Sequence, residues 1–194
     1  TGPEKAQPDT TKVIVAPSVS DTQPSTPAPA APADTDSTRA PSEPSSNNWT
    51  VTPRGIGNVT AGMTLAEANA ATGNSLSLPP KSSECDYVRP KNGPSGVALM
   101  FENGHFSRVD VTAGSVATTE GAKIGDTEAG IKSLYPGTVA TTPHKYLPKG
   151  HYLTVTPAAS ADRDYRIVFE TDGSKVTKYR SGKIPAVEYV EGCA

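Results

Sequence analysis

Val97-Ala98-Leu99-Met100-Phe101-Glu102-Asn103-Gly104-His105 decides the fold, together with its echo Arg166-Ile167-Val168-Phe169-Glu170-Thr171-Asp172-Gly173. Each is a run of β-formers closed by a two-residue turn signal. Asn-Gly and Asp-Gly supply the positive φ that a tight hairpin needs. The returning strands are expected over His105 to Thr112 and Lys175 to Arg180. Thirteen positions separate Phe101 from Gly114, and thirteen separate Phe169 from Gly182. The hairpin is therefore used twice.

Upstream of each hairpin the repeat continues. Cys85-Asp86-Tyr87-Val88 and Tyr152-Leu153-Thr154-Val155-Thr156 read as preceding strands. Before those lie Gly62-Met63-Thr64-Leu65-Ala66-Glu67-Ala68 and, 63 residues later, Gly125-Asp126-Thr127-Glu128-Ala129-Gly130-Ile131. Thr64 and Thr127 are placed to cap helix N-termini, and Thr64 with Glu67 has capping-box spacing. The first helix is expected to end near Thr72 before Gly73, the second at Tyr135 before Pro136-Gly137. Leu65, Ala68 and Ala71 form one side of the first; Ile131, Leu134 and Tyr135 form one side of the second. Val187-Glu188-Tyr189-Val190 reads as a last strand. The plan is α+β: two helix-then-meander units, about residues 55–114 and 121–193, in an antiparallel sheet with both short helices on one face.

The 146 residues from Trp49 onward hold every Trp, Tyr, Phe, Leu and Met, enough for one domain over 49–194. Residues 1–48 hold nine of the 19 prolines, with one Ile, three Val, no Leu and no aromatic. Such a stretch cannot bury enough apolar surface to offset a backbone ordering cost of about 1–2 kcal/mol per residue. It is expected to be a disordered tether, with Pro24 to Ala33 leaning towards polyproline II. The net charge of −2 splits into −3 for residues 1–48 and +1 for the rest, without the excess of Lys and Arg that nucleic-acid binding requires. No run approaches 18 apolar residues.

Cys85 and Cys193 belong to no C-x-x-C pair and no zinc-ligand cluster, so no metal is expected. The chain opens at Thr1 rather than Met, from which a removed leader and export are expected. In an exported protein the two cysteines most simply pair, closing about 109 residues with a stabilisation of roughly 4–5 kcal/mol at most. The alternative is two unrelated buried thiols.

The Gly-Met-Thr-x-x-Glu opening at Gly62 to Glu67, its echo at Gly125-Asp126-Thr127 and the two hairpins resemble a group of bacterial envelope proteins. The group includes the β-lactamase inhibitory proteins, built from two helix-then-meander units, and the small lipoprotein of the outer-membrane barrel-assembly machine, built from one. The domain is also similar to uncharacterised bacterial lipoproteins that end in Glu-Gly-Cys, here Glu191-Gly192-Cys193. The resemblance implies a non-enzymatic protein-binding domain in the periplasm or outer envelope, reaching the membrane only through an N-terminal lipid anchor. The inhibitory proteins expose a concave aromatic face. With eleven aromatics in all, this chain is not expected to inhibit a β-lactamase.

No nucleophile elbow, His-Glu-x-x-His, Walker loop or dinucleotide glycine run is present, and no cofactor is expected. The segment Pro143-His144-Lys145-Tyr146-Leu147-Pro148-Lys149-Gly150-His151-Tyr152 reads as a loop that interleaves histidines, lysines and tyrosines between prolines. His144, Lys145, Tyr146, Lys149, His151 and Tyr152 are its candidate contact residues, for an envelope protein or a cell-wall component. The alternative is an ordinary connector with core tyrosines. Lys175, Lys178, Arg180 and Lys183 read as a positive edge on the last hairpin, either contacting anionic polymer or keeping other sheets away. A monomeric binding domain on a tether is the expected function. A structural domain with no ligand is the alternative, and a hydrolase a distant one.

Overall fold

The computed structural model describes residues 2, 48–77 and 83–193. The tether expected over residues 1–48 falls outside them, except for Gly2 and Asn48.

Two helices open the two units. α1 (Leu65–Ala71) begins with the expected capping box: the Thr64 hydroxyl accepts from the Glu67 N–H, and the Glu67 carboxylate accepts from the Thr64 N–H. α2 (Glu128–Leu134) begins with Thr127, whose hydroxyl accepts from the Gly130 N–H at 3.0 Å. Seven residues are too few for an independent helix, so each depends on the sheet beneath it. Ala68 and Ile131 are fully buried there, with Tyr135 close to it; Leu134, expected on the same side, is exposed.

After α1 come β4 (Leu76–Ser77), β5 (Cys85–Pro90), β6 (Val97–Glu102) and β7 (His105–Val111), following a small three-stranded sheet of β1 (Val51–Thr52), β2 (Gly55–Ile56) and β3 (Val59–Thr60). After α2 come β8 (Val139–Pro143), β9 (His151–Val155), β10 (Tyr165–Thr171) and β11 (Val176–Lys183). The eight-stranded sheet has the order β4-β5-β6-β7-β11-β10-β9-β8. Each unit is thus a four-stranded meander, and the two meet through their last strands. Val111 faces Tyr179 and Arg108 faces Gly182 across an antiparallel seam. A Cβ on Gly182 would lie 2.6 Å from the Arg108 Cα, so only glycine admits this approach.

One face of the sheet packs against the helices. Its alternating residues Leu99, Phe101, Val109, Val111, Leu153, Val155, Ile167 and Phe169 are buried in one cluster that includes Ala68 and Ile131. The hairpins supply the aromatic centre twice: Phe101 with Phe106 at 5.7 Å between ring centroids, and Phe169 with Tyr179 at 5.3 Å. Asn103 and Gly104 both have positive φ, as the two-residue turn requires.

Two expectations fail for one reason. Val187 to Val190 is not a strand: Ala186–Glu188 is a 3-10 turn, and the segment onward to Cys193 crosses the second face as a strap. Nor do Lys175, Lys178, Arg180 and Lys183 form an edge: β11 lies at the centre between β10 and β7, Arg180 is buried, and Lys175 stands in the turn before the strand, while the three lysines are exposed. A sequence shows that residues alternate along a strand, but not which strand lies beside which. The seam takes β11's free edge, so no place remains beside it for a further strand.

Cys193 is bonded to Cys85 on β5, with Cα atoms 5.4 Å apart and 108 positions between them in sequence. The Cys193→Ser variant should lose about 2–5 kcal/mol of stability in urea unfolding. Its amide exchange should accelerate at Glu188 and Tyr189, which bond to Pro185 and Ala186 in the strap, more than at Val109 in the centre of the sheet. An unchanged midpoint with unchanged exchange would show that the bridge does not hold the strap.

Candidate functional site

On the second face, strand register alone sets an unusual row of neighbours. Thr154, Val168, Arg180 and Asp110 lie side by side across β9, β10, β11 and β7, and Thr142, Tyr152, Glu170 and Lys178 form the next row. The charged groups Arg108, Glu170 and Arg180 are covered here rather than solvated. Glu170 keeps 1% side-chain exposure and Arg180 5%, and they pair directly. Lys178 Nζ lies 3.1 Å from the same carboxylate. A lone buried charge costs several kcal/mol, so these groups hold one another in place.

The strap completes the arrangement. Arg180 Nε donates to the Val187 carbonyl at 2.6 Å. Arg108 Nη1 donates to the carbonyls of Ala186 and Tyr189, both at 2.8 Å, while its Nε meets Asp110 at 3.0 Å and its Nη2 meets the Tyr87 hydroxyl at 2.8 Å. Two sheet arginines thereby satisfy the carbonyls of Val187 and Tyr189, which a non-strand segment would otherwise leave unpaired, and add a second donor to that of Ala186. Burial first, and then the Asp110 carboxylate, push the Tyr87 hydroxyl above its ordinary value.

The six candidate contact residues fall on a hairpin rather than a free loop. Pro143 ends β8, His151 and Tyr152 begin β9, and only residues 144–150 form the turn. His144 is buried at 5% side-chain exposure, stacked on Tyr152 at 4.5 Å, with Nε2 2.9 Å from Glu170. Its Nδ1 accepts the N–H groups of Tyr146 at 3.0 Å and Leu147 at 3.2 Å. A nitrogen accepting two N–H bonds carries no proton, so the proton sits on Nε2 and is donated to Glu170. Tyr152 is buried with Val168 and Val187. These two candidates build the turn and are not open to a partner.

His151 points the other way, towards α2. Its Nδ1 is 2.7 Å from Glu128, whose carboxylate also accepts from Thr171 at 2.5 Å. The exposed members are Lys145, Tyr146 and Lys149, joined by Leu147. Tyr146 is 59% exposed and Leu147 42%. Lys145 Nζ reaches Glu191 of the strap at 3.0 Å, and the Tyr146 hydroxyl bonds to the same carboxylate. The third histidine, His105, is exposed and turned onto the Asn103 carbonyl at 3.0 Å.

The sequence reading passes over Glu170 and Arg108 and places Arg180 on an edge, although these three residues organise this face. A usable signal existed in the two ionisable residues that flank Tyr179, Lys178 and Arg180, on a strand opposite Glu170. Without the seam between β7 and β11, the pair reads as a positive edge. Among the described residues no group of three or more His, Cys, Asp or Glu could hold a metal, and no helix is long and apolar enough to cross a membrane.

No protein-family model and no curated protein matches the chain. A solved structure, that of the uncharacterized protein yfeY from Escherichia coli, is similar at a TM-score of 0.44 and 18% identity, over 69% of this chain and 99% of that one.

Burial would raise the Glu170 carboxyl, but the His144 hydrogen bond and the charges of Arg180 and Lys178 together hold it below its ordinary value. A carboxyl depressed by folding contributes its full stabilisation above the ordinary value of 4.5 and loses it as pH falls through the lower folded value. Thermal stability should therefore be level above that pH and decline below it. The Glu170→Gln variant should be less stable at pH 7 by about 3 kcal/mol or more, because it strands buried Arg180, and should show a shallower acid decline. Equal acid slopes for the two proteins would remove Glu170 from the account.

Proposed function

We propose that the chain is a non-enzymatic binding module of the bacterial cell envelope that docks a protein partner through the tip of the β8–β9 hairpin. The observation that carries this reading is Tyr146, 59% exposed beside exposed Leu147, on a turn that buried His144 fixes from below. A large aromatic held in solvent on a rigid turn loses little entropy on binding, which is why tyrosine is frequent among residues that dominate interfaces. Lys149 makes no ion pair with any described residue and adds positive charge at the rim, where charge speeds encounter with acidic partners.

The envelope assignment draws on the Cys85–Cys193 bridge, because such bonds persist in oxidising compartments. It also draws on the proline-rich composition of residues 1–48. The helix-then-meander plan is the one for which the β-lactamase inhibitory proteins are the likeness. Here the second face is charged and crossed by the chain's own strap, so the hairpin tip is the more accessible contact surface. Each of the three histidines is already engaged in a structural hydrogen bond, which favours binding over nucleophilic catalysis.

The Tyr146→Ala variant should capture the partner from envelope extracts more weakly by at least about 1 kcal/mol, roughly a fivefold loss of affinity, with its melting temperature nearly unchanged. Capture equal to that of the parent protein would place the contact surface elsewhere. A loss of about 3 kcal/mol of stability would make Tyr146 a packing residue instead.

A further inference from the structure

A cleft of about 160 Å³ opens on the second face between the β8–β9 hairpin and the strap. Thr142, Tyr152, Thr154 and Val168 line it from the sheet, and Glu188 and Val190 from the strap, with Arg180 reaching in from the centre. At about 30 Å³ per water, the space is worth about five waters. That is below the range of about 300 Å³ and upward typical of larger ligands.

Arg180 has one unused side. Its side chain is 5% exposed, Nε is bonded to Val187 and Nη1 to Glu170, and Nη2 has no acceptor among the described residues. The nitrogen is not sealed inside protein: among the described residues the side-chain polar atom that is both sealed and unpartnered is Ser75 Oγ. The guanidinium carbon lies 5.9 Å from the centroid of the Tyr152 ring, which brings it to the cleft that Tyr152 lines. The neighbouring cavity of similar size is also lined by Arg180 and Glu170, and differs in that its other cations are paired, Arg108 with Asp110 and Lys178 with Glu170.

The rest of the cleft is unpaired in a complementary way. The hydroxyls of Thr142 and Thr154 and the carboxylate of Glu188 make no hydrogen bond or ion pair with any described residue. A buried guanidinium edge with two hydroxyls calls for a carboxylate. Glu188 opposes a simple anion and calls for a cation in the same small space. Val168 and Val190 leave an apolar wall for a short side chain.

We propose that this cleft is a binding site for a free small α-amino acid. The carboxylate takes Arg180 Nη2 and the threonine hydroxyls, the ammonium takes Glu188, and the side chain rests on Val168 and Val190. A peptide C-terminus offers the same carboxylate but an amide in place of the ammonium, so it leaves Glu188 without a partner.

The site is tested on the disulfide-intact chain by NMR titration with alanine, acetyl-alanine and acetate, following the amides of Thr142, Thr154 and Val190. Alanine should shift all three saturably, with acetate and acetyl-alanine at least about tenfold weaker. Glu188→Gln, an exposed substitution, should weaken alanine about tenfold and leave acetate unchanged. Thr154→Val should weaken both. The inference is overturned if alanine moves none of these signals, or if acetate or acetyl-alanine binds as tightly as alanine. It is also overturned if Glu188→Gln leaves alanine affinity untouched. Arg180 is left intact throughout, because its removal strands Glu170 and changes folding along with binding. Tyr146 lies outside the cleft lining, so failure of this titration leaves the hairpin-tip reading standing, and loss of partner capture leaves the titration unaffected.

Discussion

The antiparallel seam between β7 and β11 is the constraint on which everything else depends. A four-stranded meander with one seven-residue helix has a bare edge at its last strand and covers only part of its own core. Pairing the two last strands removes both edges at once and builds one eight-stranded sheet. Cross-strand pairs are the stabilising unit of a sheet, and here they run without interruption from Val88 on β5 to Val139 on β8. Gly182 is the local condition for it, because any side chain would meet the backbone of Ser107 and Arg108.

Placing β11 at the centre has an electrostatic consequence. Strand alternation turns Lys178 and Arg180 to the face away from the helices, where Arg108, Asp110 and Glu170 also point. In the middle of a sheet these side chains cannot all reach water. Opposite charges in register and the carbonyls of the strap satisfy them instead. The strap is thus held by two buried arginines along its path and by the disulfide at its end. Breaking any one contact exposes a charge or a carbonyl on a covered face, which is how a segment without regular pairing keeps one conformation.

The same network reaches the hairpin tip. Glu170 joins Arg180, Lys178 and His144, and His144 in turn holds the N–H groups of Tyr146 and Leu147. The tip displays its aromatic because the residue beneath it is anchored in the sheet, and Glu191 ties the tip back to the strap. A rigid scaffold presenting a few exposed side chains on a turn is the arrangement that recognition favours.

The local elements are legible from the residues alone. Thr64 and Thr127 cap the helices where they stand, Asn103-Gly104 makes the tight turn, and the repeat spacing yields two helix-then-meander units with both helices on one face. Those signals lie within a few residues of one another, so no tertiary knowledge is needed to read them. The two cysteines, which have no metal-ligand spacing around them, pointed to their own pairing. Which edges meet, and everything that follows from it, becomes visible only in the folded chain. Arg180 reads as a surface charge until β7 lies beside it. Val187 to Val190 reads as a strand until the seam leaves it no edge. His144 and His151 look alike in sequence, but one is buried beneath the hairpin tip and the other is turned towards Glu128 on α2. The reason is physical: alternation fixes which residues share a face, while burial depends on neighbours more than 60 positions away.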